Sequence, residues 1–274
     1  MRAAVAGLAV LAAVAASGTR AVAQLPGEPV KESGLSVTGA FEGWYPNADG
    51  SYSVLVGYFN RNTKQTFDIP IGPDNRIEPG GPDRGQPTHF LPRRQWGVFT
   101  ITVPRDFGKN TLTWTLVANG QTTVIPLHLD PLWLVEPLKD AALGNTPPVV
   151  RFDPTGAAQQ GPPNGTGASL VASMARVLEL PVWVTDDGIR APEAARRPAA
   201  LATIAWSKFR GPGNVTFDPP APARDEKTGH ASTTAAFSAP GEYVLRVQAN
   251  DATGDGGGGF QCCWTNAHVK VTVK

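Results

Sequence analysis

From Leu35 onward, apolar and polar positions alternate with a period of two, in runs too short for helices and broken by glycine and proline. LSVTGAFEGWY and SYSVLVGYFNRN flank Pro46-Asn47-Ala48-Asp49-Gly50, and the pair predicts a hairpin because glycine supplies the positive φ of the turn. TKQTFDIPI, WGVFTITVP, TLTWTLVAN and QTTVIPLHL are further strands. The last two surround Asn119-Gly120, the strongest short hairpin signal in the chain. Leu112, Trp114 and Leu116 alternate with Thr111, Thr113 and Thr115, which predicts one buried and one wet face. Strand pattern resumes at Leu170 in LVASMARVLELPVWVTDDG, ATIAWSKFRGPGNVTFDP, HASTTAAFSAPGEYVLRVQAND and AHVKVTVK. The alanine-rich PEAARRPAALA is the one helical candidate, and Pro198 interrupts it.

Two stretches break the pattern. Residues 71–95 hold five prolines and no periodicity, and read as a long loop carrying Arg76, Glu78, Asp83, Arg84, His89, Arg93 and Arg94. Residues 131–168 contain Pro-Pro pairs and a Gly/Pro/Gln tract, and read as an interdomain linker region. Short strands at this spacing predict an all-β protein of two immunoglobulin-like β-sandwiches, residues 35–130 and 169–274, joined by that Pro/Gly-rich linker.

Composition agrees: 30 glycines and 26 prolines in 274 residues suit many short strands joined by turns. The first residues add a compartment. Met1-Arg2, the small apolar run Ala3 to Ala16 and Ala21-Val22-Ala23 have the order of a cleavable export signal, residues 1–23, with residues 24–34 a flexible lead-in. That run is too short to span a bilayer, and no later stretch reads as a transmembrane segment, so a secreted, periplasmic or extracellular protein is expected. Lys plus Arg (24) nearly cancels Asp plus Glu (23), which argues against a nucleic-acid partner.

The second half carries a resemblance. Trp183 to Gly188, Trp206 with Gly211 to Phe217, Phe237 to Asp251, and Val269 to Val273 resemble bacterial PKD-like immunoglobulin domains over roughly residues 148–274. The resemblance implies a sandwich fold and leaves function open. The residues themselves place Trp206 as a buried core tryptophan and Tyr243, after Pro240-Gly241, as a tyrosine corner.

Candidate chemistry is sparse. Adjacent Cys262 and Cys263, in an exported chain, read as a vicinal disulfide presented with Phe260 and Trp264; free thiols, bonds to another chain and a soft-metal site with His268 are the alternatives. Gly254, Gly256 and Gly259 formally spell a dinucleotide loop, but a β-type segment follows where a helix is needed. Asp186, Asp187, Asp251 and Asp255 are turn formers that could alternatively hold calcium. Trp44, Tyr45 and Trp264 could stack on sugar rings, although strand aromatics usually fill cores. Arg84 and His89, with Glu78 and Asp83, are the polar groups of the long loop that could bind or, less readily, catalyse. Asn164 and Asn214 head glycosylation sequons. No hydrolase or zinc motif is present and His89, His128, His230 and His268 are isolated, so no catalytic residue, cofactor or metal is assigned. The expected role is a non-catalytic binding or structural protein contacting an envelope protein or polysaccharide, with a carbohydrate-binding accessory module as the alternative.

Overall fold

A computed structural model of the protein describes residues 31–140, 142–189, 201–251 and 262–274. The export signal, most of the lead-in, residues 192–200 of the helical candidate, Asp255, Phe260 and the Gly254–Gly256–Gly259 loop lie outside the described residues.

The first half forms β1 (Val37–Pro46), β2 (Tyr52–Asn60), β3 (Phe67–Asp68), β4 (Asn75–Glu78), β5 (His89–Phe90), β6 (Arg93–Val103), β7 (Leu112–Ala118) and β8 (Gln121–Leu127). Sheet β1-β2-β6 faces sheet β4-β7-β8, with β3 and β5 paired at one side. Val54, Val56, Phe99 and Ile101 from one sheet meet Ile77, Leu112, Trp114 and Leu116 from the other, each side chain contributing about 1.5–3 kcal/mol on burial. Asn119 and Gly120 both have positive φ, the geometry of the two-residue turn predicted between β7 and β8.

Residues 71–95 are more ordered than their sequence suggests, since β4 and β5 lie inside them. Their organiser is Asn75, fully buried, which donates to the carbonyls of Ile69 (2.9 Å) and Pro87 (2.8 Å) and accepts from Trp114 Nε1 (3.0 Å). Strands of two and four residues are too short to show a period, which is why the pattern alone reads them as loop.

The second half forms β9 (Val149–Arg151), β10 (Gln159–Gln160), β11 (Ala168–Ala172), β12 (Leu178–Thr185), β13 (Thr203–Arg210), β14 (Val215–Asp218), β15 (His230–Phe237), β16 (Gly241–Asn250) and β17 (Trp264–Val273). Sheet β10-β9-β12-β15-β14 packs on sheet β11-β17-β16-β13, and β11 runs parallel to β17. Trp206 is in this core, and the Tyr243 hydroxyl donates to Ala239 O (2.7 Å) while accepting from Gly213 N (3.0 Å), as a tyrosine corner does. Residues 131–168 contain a short 3-10 turn (Pro131–Trp133), β9, β10 and the first residue of β11, and β9 pairs with β12. The fold is all-β: two immunoglobulin-like sandwiches.

Both sandwiches belong to one compact unit, Lys31–Lys274. Leu245, Val247 and Ala249 point into the second core, so Val244, Arg246 and Gln248 occupy the other face of β16. That face is covered by the first sandwich. Phe209 sits in the first core, Arg246 donates to Gln95 Oε1 (2.7 Å), and Asn266 donates to the carbonyls of Trp96 (3.0 Å) and Gly97 (2.8 Å). Lys208 pairs with Asp68 (2.7 Å), and Arg210 grips Asp83 with both terminal nitrogens (2.8 and 3.0 Å).

Candidate functional site

The outer face of sheet β1-β2-β6 carries the site. A bulge between Phe41 and Gly43 resets β1, so that Tyr45 faces Ser53, Ser53 faces Thr102, and Gly43 and Thr100 flank Leu55. Residues 133–138 cross this face. A side chain at Gly43 would meet the Trp133 carbonyl at 2.6 Å, and Leu138 lies over Gly97 and Leu55. Beyond Leu138 the face is uncovered, and it floors an open groove of about 780 Å³.

The far wall is Pro147 and Gln160 to Gly165. It is pinned in place: Gln160 donates to Pro147 O (2.8 Å), Gly161 N to Thr265 Oγ1 (2.9 Å) and Thr100 Oγ1 to Pro163 O (2.9 Å). The near end is the β1–β2 turn, where Asn47 donates to Ser51 (2.9 Å), Ser53 to Asn47 (3.0 Å) and Ser51 to Asp49 (2.6 Å). Burial pushes the Tyr45 phenol up, against the hydrogen bond it makes with Ser53. The lining is thus hydroxyls, amides, prolines and one phenol ring, with Asp49 and Lys139 of opposite sign. Such a surface can hold a polar ligand of many hydroxyls or amides in a fixed orientation.

Of the residues singled out from sequence, Tyr45 lies in the groove. Trp44 does not: its indole donates to Asp130 O (2.7 Å) and its ring meets Tyr52 edge-on. Trp264 is 2% exposed and offers no face to a sugar. The four polar residues of 71–95 have separate partners. Glu78 pairs with Arg76 (2.8 Å), Asp83 with Arg210, Arg84 donates to Pro79 O (2.7 Å), and His89 Nδ1 lies 2.9 Å from Asp68. Burial holds the His89 imidazole below its ordinary value, against the pull of Asp68.

Cys262 and Cys263 are joined to each other and buried, with Cys263 O accepting from Asp251 N (3.0 Å), so these residues form no exposed tip. Asp186 is raised by burial and by neighbouring Asp251. Asp187, although partial burial opposes it, is held low by the amide of Ile189 and by Thr146. Among the described residues no group of three or more metal-ligating side chains converges. Among the same residues no helix is long and apolar enough to cross a membrane.

One charged pair escaped sequence reasoning. Glu42, the bulge residue, is buried and accepts from Arg94 Nη2 (2.6 Å) and Gly97 N (2.7 Å); Arg94 stacks over Trp96 at 3.7 Å. Burial raises its carboxyl to about 7 against the pull of Arg94. The pair is 52 residues apart in sequence, and nothing local to either residue announces it.

No protein-family model matches the chain, and no curated protein matches it. Among solved structures, the D00-D0 domain of intimin is similar at TM-score 0.29 and 11% identity, covering 87% of this chain and all of that one. Domains 4 and 5 of the S-layer protein SbsC follow at TM-score 0.24 and 12% identity, over 60% of this chain and 65% of that one. The fibronectin(III)-like modules of Clostridium thermocellum CbhA are similar at TM-score 0.24 and 13% identity, over 87% and 94%. At such low overlap none of these likenesses bears on function, and the class of fold rests on the strand order and the two cores.

Proposed function

We propose that the protein is an exported, non-catalytic binding protein that holds a polar chain-like partner from the cell envelope or exterior in the groove beside β6. The observation that carries this reading is the groove itself, about 780 Å³, floored by Tyr45, Ser53, Thr100 and Thr102 and walled by a pinned proline segment. A glycan is the favoured class. Hydroxyls and primary amides match sugar hydroxyls as donors and acceptors, and the Tyr45 ring offers an apolar face for ring C–H groups. Residues 148–274 as a PKD-like domain rest on the motifs around Trp183, Trp206 and Phe237.

The test is calorimetric titration of the intact protein with a panel of envelope glycans, for the wild type and for Thr102→Trp. Thr102 is exposed, so the variant keeps the fold while filling the groove. Binding by the wild type and its loss in the variant are expected. Equal binding by both would remove the groove from the account.

A further inference from the structure

Sheet β11-β17-β16-β13 ends in β11, and one side of that strand has no partner among the described residues. Lys274 N donates to Ala172 O (3.0 Å) and Met174 N donates to Lys274 O (3.1 Å), so the even-numbered positions of this segment serve β17. In a parallel ladder the residues between them turn N–H and C=O the other way, which points the backbone of Ser169 and Val171 outward. Among the described residues no hydrogen bond reaches either backbone from that side.

Other edges of the molecule are guarded, as edge strands of folded proteins usually are. In β13, Trp206 N donates to Pro220 O (2.8 Å), and Lys208 and Arg210 put charge on the strand. The Trp96 and Gly97 carbonyls of β6 accept from Asn266, and β8 carries Pro126. Strand β11 has none of these devices. It reads Ala168, Ser169, Leu170, Val171 and Ala172, and residues 154–175 around it contain no charged side chain. Val171 is 64% exposed, and Met174 and Val177 are exposed just beyond it.

The pattern of this edge fits a second copy of itself. About a two-fold axis normal to the sheet at Leu170, Ser169 stands opposite the partner's Val171 and Val171 opposite the partner's Ser169, and each pair exchanges both of its N–H···O bonds. Leu170 then meets the partner's Leu170 in the close position of the ladder, where side chains touch. Such an axis keeps each face of the strand on its own side, so Leu170, which packs on the second core, stays on the core side in both copies. An axis also brings each residue near it up to its own kind, and a charge there would repel itself; the uncharged stretch 154–175 removes that repulsion.

We propose that the protein forms a two-fold dimer by antiparallel pairing of β11 with β11 of a second copy, which joins the two β11-β17-β16-β13 sheets into one and covers Val171. The dimer does not depend on what the groove beside β6 binds.

The test is sedimentation equilibrium of residues 24–274 over a wide concentration range, with amide hydrogen exchange at both ends of the range, for the wild type, Val171→Lys and Val171→Pro. The Val171 side chain is exposed and its N–H serves no bond within the chain, so both variants keep the native circular dichroism. A monomer–dimer equilibrium is expected for the wild type, with exchange at Ser169 and Val171 slowing as the dimer fills. Val171→Lys should weaken the dimer by about tenfold or more, through like charges across the axis and lost apolar burial, and Val171→Pro should abolish it. A wild type that stays monomeric at every concentration would overturn the proposal. So would a dimer that leaves exchange at Ser169 and Val171 unchanged, or one that both variants form as tightly as the wild type.

Discussion

At the residue scale the molecule is governed by buried polar groups whose partners lie far off in sequence. Glu42 is the sharpest case. Its folded value of about 7 stands above the reference 4.5, so the fold prefers the protonated form. The stability it contributes is fully present below about 4.5 and is lost as pH rises through about 7. A shift of this size corresponds to about 3 kcal/mol. Chemical denaturation at pH 5 and pH 8 should therefore show Glu42→Gln gaining on the wild type at the higher pH, because the buried imidazoles of His89 and His268, whose lowered values act in the opposite sense, are common to both proteins; a difference that does not change with pH would refute the assignment. Gly57 has a neighbouring role. A Cβ there would collide with Glu42 Oε1 and the Gln95 carbonyl, and both belong to the pair's own shell. Gly57→Ala should cost about 1–3 kcal/mol by overpacking, read from the same denaturation curves.

Single elements owe their shape to short-range chemistry, which is the part a sequence displays. The β7–β8 hairpin follows from Asn119 and Gly120 accepting positive φ, and no distant contact is needed to set it. The β15–β16 connection is held by Tyr243, which serves Ala239 O and Gly213 N with one hydroxyl while its ring lies against Gly211. Tyr243→Phe keeps the ring and removes both bonds, leaving the Gly213 amide unmatched. A loss of about 1–2 kcal/mol is expected, with the near-ultraviolet circular dichroism of the native state unchanged. A loss much larger than that would mean the hydroxyl supports more than this corner.

For the whole molecule, the decisive feature is that the outer face of β16 and β17 is an interface. Phe209 is donated by one sandwich to the core of the other, and Lys208, Arg210, Arg246 and Asn266 reach across around it. The two sandwiches should unfold as one transition in calorimetry. Phe209→Ala, costing roughly 3–5 kcal/mol, should split that transition into two; a single sharp peak in the variant would show that the interface does not couple them. Period-two alternation and turn residues determined the longer strands, the β1–β2 and β7–β8 hairpins and the apolar faces of the two cores by themselves, because each depends on backbone preference and on which side chains avoid water; β4, β5, β9 and β10, too short to show a period, escaped them. Alternation says only that Arg246 and His268 face away from Val247 and Val269. Whether that opposite face meets solvent or another sheet depends on how two finished sandwiches pack, which is set by shape and charge summed over residues more than a hundred positions apart. The groove arises from residues 131–168 folding back over the β1-β2-β6 sheet, and the Glu42–Arg94 pair from β1 and β6 lying on either side of β2, so only the tertiary structure decided them.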